Sequence, residues 1–367
     1  MSAAGVWPLL AILAGCADGP ARAELAAAAG IPAEDGHANG LELLKILDAS
    51  REVRTAIGAW VRPEIGLRAE WVRSMPAGTV GTLGDPAELD AWAREHTAGL
   101  IQKFPVRISE QTLFALATAL LARTRWTEPF MEVLYTPESG PWQGHRGPGL
   151  YRRSYPDGSV SILDDTVTRV VVTGRGELDV HLLIGAEGPG RAVATGLAAL
   201  DGAVAVRTEL GPGTVAPCLT VERREAFGGD SVSLTLPPFE VRSTHDLFDQ
   251  AALFGLVAVR DTTHGHFPGL SPQALALDAA AQEVVARFDA AGFEAAAVTA
   301  MAAVAAGIPQ PEMATLTSVR IDRPFGFLAV DRPSGLALVA GQVTRPPREW
   351  ATPTGTGDSG RIPGGPW

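Results

Sequence analysis

Gly292-Phe293-Glu294-Ala295-Ala296-Ala297-Val298-Thr299-Ala300-Met301-Ala302-Ala303-Val304-Ala305-Ala306 is the stretch on which the fold turns. Alanine is the best helix former, so local propensity favours a helix. Both flanks read as strand, however, and Glu294 is the only charge, so the segment lacks the polar face of a surface helix. With a period of two, Phe293, Ala295, Ala297, Thr299, Met301, Ala303 and Ala305 share one face, and both faces are mostly small. A strip of that kind can slide between two strands of a sheet. Composition by itself leaves helix and strip open.

Outward from this strip, Val284–Asp289, Thr317–Ile321, Phe325–Val330 and Ala337–Val343 read as strands, with Asp331-Arg332-Pro333-Ser334-Gly335 as a hairpin turn. Short β-branched segments at 159–163, 167–173, 178–184, 203–209, 217–222 and 231–236 also read as strands. Helices are expected at 5–16, 18–29, 39–49, 86–103, 244–255 and 271–282, with a connection over 56–85. Asp85 is a good N-cap, with Pro86 and Glu88 behind it. Leu113–Leu121 is a continuous apolar run suited to a buried strand. Helices first and strands later, without βαβ alternation, indicate α+β. The segment from 347 to 367 is a Gly/Pro/Thr-rich tail without periodicity, expected to be disordered.

The chain has 367 residues, 46% hydrophobic and 19% charged, with a net charge of −11. This excludes wholesale disorder and argues against nucleic-acid binding, which calls for a basic face. No apolar run reaches the ~18 residues of a membrane span. Cys16 and Cys218 cannot build a disulfide framework or a thiolate zinc site. His264 and His266 read as an exposed loop rather than a metal site. No HExxH, GxSxG, P-loop or dinucleotide motif occurs, so neither an enzyme nor a cofactor is expected. Leu13-Ala14-Gly15-Cys16 has the form of a lipoprotein cleavage box. No basic residue precedes it, and Val6, Leu9, Leu10 and Leu13 are spaced as on a helix, which favours a buried helix over a lipid-tethered binding protein.

Five blocks in order resemble the serpin family. Gly292, Glu294 to Ala297 and Thr299 resemble its hinge. Trp92, Thr97, Gly99 and Ile101 are similar to a helix motif, and Trp126, Pro129 and Phe130 to a strand end. Leu236 to Glu240 with Asp246, Leu247, Gly255 and Phe267 to Ser271 form the fourth block, and Asp322 to Phe327 with Gly335, Gly341, Val343 and Pro346 the fifth. The resemblance implies one serpin domain over 1–346 lacking the family's first helix. The implied fold has a large five-stranded sheet and an exposed reactive loop, metastable against a form with the loop inserted. The implied activity is trapping of a serine protease acyl-enzyme, with no catalytic residue, metal or cofactor of its own, by a protein acting as a monomer.

The same resemblance places the hinge at Gly292, Phe293, Glu294, Ala295, Ala296, Ala297, Val298 and Thr299. It places the scissile bond at Ala306-Gly307 or Met313-Ala314, and the sheet-opening region at Gly5, Thr118 and Gln282. An apolar residue at either bond fits an elastase- or subtilisin-like protease. Phe293 replaces a small residue and is expected to be the first side chain to pass between the parting strands. A slow passage would leave a non-inhibitory serpin, a substrate or carrier. Localisation reads as cytoplasmic from the missing signal and as extracellular from the family.

Overall fold

A computed structural model describes residues 1–97, 99, 101–104, 108, 112–293 and 311–346. The chain opens with α1 (Ala3–Cys16), α2 (Gly19–Ala29) and α3 (Ala33–Ala49), then β1 (Val53–Val61), α4 (Ala69–Ser74), β2 (Val80–Thr82), α5 (Pro86–His96) and β3 (Phe114–Ala122). A strand-rich middle follows: β4 (Thr124–Arg125), β5 (Met131–Tyr135), β6 (Gly147–Ser154), β7 (Val160–Leu163), β8 (Val167–Thr173), β9 (Leu178–Gly185), α6 (Pro189–Leu200), β10 (Val206–Arg207), β11 (Val215–Ala216), β12 (Leu219–Ala226), β13 (Ser231–Leu236) and β14 (Phe239–Asp246). The fold closes with α7 (Ala251–Phe254), β15 (Ala281–Phe288), β16 (Gly292–Phe293), β17 (Glu312–Arg320), β18 (Phe325–Asp331) and β19 (Ala337–Val343).

Three layers of sheet result. One six-stranded sheet runs β10-β7-β8-β9-β18-β19 and a second runs β11-β12-β17-β13-β6-β5. The principal layer consists of two ladders, β2-β1-β3 and β14-β15-β16-β4, joined by the continuity of β3 into β4. Its five strands are β2, β1, β3 with β4, β15 and β14; the two residues of β16 are wedged between β15 and β4. The largest hydrophobic cluster fills the space between the layers, with Trp126, Phe288, Phe325 and Phe327 at its centre.

Helix α1 explains the apolar N-terminal stretch. Ser2 caps it by accepting from Gly5 N, and Val6, Leu10 to Ala14 and Cys16 are buried. Helix α3 approaches within backbone contact because Gly36 and Gly40 carry no side chain: a Cβ on Gly36 would lie 2.3 Å from Ala11 O. Cys16 therefore lies inside the core, and burial raises its thiol pKa to about 11.

Several expected elements differ. The 244–255 helix is β14 through Asp246, then a 3₁₀ turn, with α-helix only at Ala251–Phe254. Residues 271–280 form no helix, because Leu275 and Leu277 are buried and their backbones bond across the chain to His266 and Val259. Long-range burial overrides alanine propensity there. The 39–49 helix starts at Ala33, and the 86–103 helix stops at His96, where Thr97 closes it and Gly99 takes φ +82°. Of 203–209 only Val206–Arg207 pairs as strand. The 56–85 connection contains β1, matched over nine residues to β3, and α6 was not anticipated. His266 is buried, with Nε2 2.8 Å from Asp261 O. The choice between helix and strip over 294–306, and the disordered tail over 347–367, lie outside the described residues.

Candidate functional site

Strands β3 and β15 run parallel, since β16 is antiparallel to both β4 and β15. Beyond the two residues of β16 no ladder joins β3 to β15 among the described residues. The gap is a narrow cavity of about 30 Å³ lined by Thr118, Leu120, Ala122, Gln282, Val284 and Phe293, with Ser2 and Gly5 beneath.

The chain enters this gap at Gly292 and Phe293 through a tight reversal. Asp289 Oδ1 accepts from Ala291 N at 2.9 Å and Gly292 N at 3.0 Å, and Asp289 N donates to Gly292 O. Trp126 holds the turn twice, Nε1 donating to Asp289 O at 2.9 Å and N to Ala291 O at 2.9 Å, while Phe130 N donates to Ala290 O. Gly292 is thereby opposite Arg125, and Phe293 opposite both Thr124 and Phe288. Thr124 is itself fixed by donating to Glu52, whose other carboxylate oxygen accepts from Glu177 N and Leu178 N.

Phe293 is 2% exposed. Its ring lies 6.4 Å from that of Phe327, in a cluster where Phe288 stacks on Phe239 at 5.2 Å and packs on Trp126 at 4.6 Å. This corrects the expectation that Phe293 would be the first side chain to pass between the strands: it is already between them. An apolar ring is favourable there because the surroundings are aromatic.

The gap's floor is polar. Gln282 Nε2 donates to Ser2 O and Ser2 N donates to Gln282 Oε1, both at 2.8 Å. Thr118 Oγ1 donates to Gly5 O at 2.6 Å, and Ser2 Oγ donates to Leu338 O at 2.6 Å. Gly5, Thr118 and Gln282, distant in sequence, thus converge at the base of the gap. A Cβ on Gly5 would lie 3.1 Å from Gln282 Nε2, so its small size admits the amide. Ser2, which joins this polar floor, was not picked out from the sequence; its signal was an N-capping serine directly before an apolar helix.

Glu294, Ala295, Ala296, Ala297, Val298, Thr299, Ala306 and Gly307 lie outside the described residues. Met313 and Ala314 fall within β17, opposite Glu225 and Arg224 of β12. No helix of the described residues is long and apolar enough to cross a membrane.

A layer of five strands parted at one junction, with the two residues of β16 wedged into it and a polar cluster beneath, is the architecture of a serpin fold. Residues 215–346 match the family model Serpin (serine protease inhibitor). A serpin from the trematode Schistosoma haematobium superposes with TM-score 0.68 at 16% identity, covering 94% of this chain and 93% of its own. Human thyroxine-binding globulin complexed with thyroxine gives 0.70 at 17% identity over 95% and 91%. The thermophilic serpin Tengpin in its native state gives 0.70 at 18% over 94% and 88%. No curated protein sequence matches the chain. Residues 215–346 thus match the serpin family model, and over its described length the chain has the serpin fold.

Proposed function

We propose that the chain inhibits serine endopeptidases, trapping the acyl-enzyme by inserting its reactive loop between β3 and β15. The observation that carries this is the register of β16. In the proposed inserted form, the same register continued beyond Phe293 would bring Ala295 between Ala122 and Ala286, Ala297 between Leu120 and Val284, and Thr299 between Thr118 and Gln282. Small apolar side chains then meet the apolar part of the gap, and the single hydroxyl of the series arrives at the polar floor. Glu294, on the opposite face of that strand, would come between Arg123 and Arg287. Alternation along a strand requires this pattern of the strip, and a one-residue slip would reverse it.

In this reading Gly292 and Phe293 are a preformed start of the sixth strand, and Glu294 to Thr299 supply the rest. Attack of the protease serine on the scissile carbonyl forms an ester and breaks the peptide bond, the C-terminal segment leaving as its amine, and insertion then pulls the bound protease away before water hydrolyses the ester. The scissile bond is assigned to Ala306-Gly307. Met313-Ala314 is laddered to β12, and a strand committed to a sheet cannot also lie extended in a protease cleft. A small apolar residue at 306 fits an elastase- or subtilisin-like pocket.

The alternative is a serpin fold cleaved as a plain substrate. The bonds joining Ser2 to Gln282 and Asp289 to the hinge favour it, because they resist opening. Incubation with pancreatic elastase and with subtilisin, followed by denaturing electrophoresis and intact mass, tests the choice. A stable adduct at the mass of the protease plus residues 1–306, with residues 307–367 released as a separate peptide, is expected. Complete cleavage with full protease activity would reject inhibition.

A further inference from the structure

Strand β17, which receives the chain as it leaves the loop, is an inner strand of its sheet. It is antiparallel to β12 over eight residue pairs and parallel to β13 over five. Yet β12 and β13 are consecutive in sequence, joined only by Phe227-Gly228-Gly229-Asp230. Four residues therefore bridge two strand spacings, about 9.6 Å, and β17 threads between the strands they connect. The bridge leaves β12 level with Glu312 and rejoins β13 level with Leu316, so it crosses β17 at Ala314.

Burial places the crossing on one face. Val319, Leu219 and Leu234 pair side by side and face the core. Ala314, five residues from Val319, belongs to the opposite face, yet it is 1% exposed. The bridge is pinned at both ends: Arg153 Nη2 donates to Phe227 O at 3.0 Å, and Thr315 N donates to Asp230 Oδ1 at 2.6 Å. Gly228 and Gly229 take φ of +83° and +72°, a conformation that other residues adopt only with strain.

We propose that this strap locks the C-terminal anchor of the loop, keeping β17 in its sheet so that the loop can change place only after it is cut. Core packing blocks departure of β17 on one face, the strap blocks it on the other, and ladders flank it on both sides. The consequence for the loop rests on the insertion reading above; the lock itself does not.

Hydrogen–deuterium exchange on the intact chain separates the two. One variant lengthens the strap by Gly-Ser-Gly-Ser between Gly228 and Gly229, and a milder one is Asp230→Ala. Amides of Thr315 to Val319 are expected to exchange at least tenfold faster in the lengthened variant and several-fold faster in Asp230→Ala, with β6 protection retained as the control for folding. Equal β17 exchange in all three proteins would overturn the lock. Heat stability of elastase-nicked wild type is measured alongside. Its failure to rise would reject insertion while the exchange result still decides the lock.

Discussion

Replacement of Phe293 by Thr puts the seated hinge to its sharpest test. The ring is 2% exposed and lies in the cluster of Phe327, Phe288 and Trp126, so removing it forfeits both transfer free energy and packing. Truncation of a buried Phe costs about 3–5 kcal/mol. With an unfolding entropy near 2.1 cal/mol/K per residue, that loss lowers the melting temperature of a chain this long by roughly 4–6 °C. If the remainder of the strip inserts as proposed, Phe293 keeps its place between β4 and β15, so both forms are destabilised alike. The partition between trapping and substrate cleavage should then stay within about twofold of wild type, because a cost common to both states leaves their difference unchanged. Thermal unfolding reads the first quantity, and titration of elastase activity against inhibitor reads the second. Unchanged melting together with markedly better trapping would refute the reasoning, since the ring would then be an obstacle on the insertion path.

Asp289→Ala leaves Ala291 N and Gly292 N without their acceptor and should cost about 1–3 kcal/mol in urea unfolding, with faster amide exchange at Gly292. His181 is 8% exposed on β9; burial first, and then the Arg169 charge, lower its pKa to about 4. The unfolded chain thus binds a proton between pH 6.5 and about 4 that the folded chain refuses. Its contribution, up to about 3 kcal/mol, is complete above about pH 6.5 and is lost as pH falls toward 4. His181→Gln should flatten stability over that window in denaturant titrations from about pH 7 to 4. Ala306→Arg should create a trypsin-sensitive bond, whereas Met313→Arg should leave β17 uncut; peptide mass mapping distinguishes them, and rapid cleavage of the second variant at position 313 would reverse the scissile assignment.

Much of the local structure was legible because it depends on neighbours in sequence. Asp85 caps Ala87 N as its position before Pro86 implied, and Ser334 N donates to Asp331 in the hairpin turn. The apolar run at 113–121 is the buried strand β3. The elements misread were those fixed from a distance. Strand β1 carries Val53, Thr55, Ile57, Trp60 and Val61, but Ala56, Gly58 and Ala59 interrupt that signal, and its nine partners come from β3, more than fifty residues away. Residues 271–280 favour helix locally and are held extended by bonds to Val259 and His266.

The candidate site divides in the same way. Alternating small residues after Gly292, and the resemblance carried by five ordered blocks, are properties of the linear chain, because the period of a strand is written into the order of its side chains. Sequence by itself determined the α+β class, and the resemblance singled out Gly5, Thr118 and Gln282, which the fold brings together. Only the tertiary structure decided that Phe293 is already seated, that Ser2 closes the polar floor, and that β17 passes beneath the Phe227–Asp230 strap. Each of those depends on pairings between residues tens to hundreds apart, whose register is set by burial of whole faces rather than by any local preference.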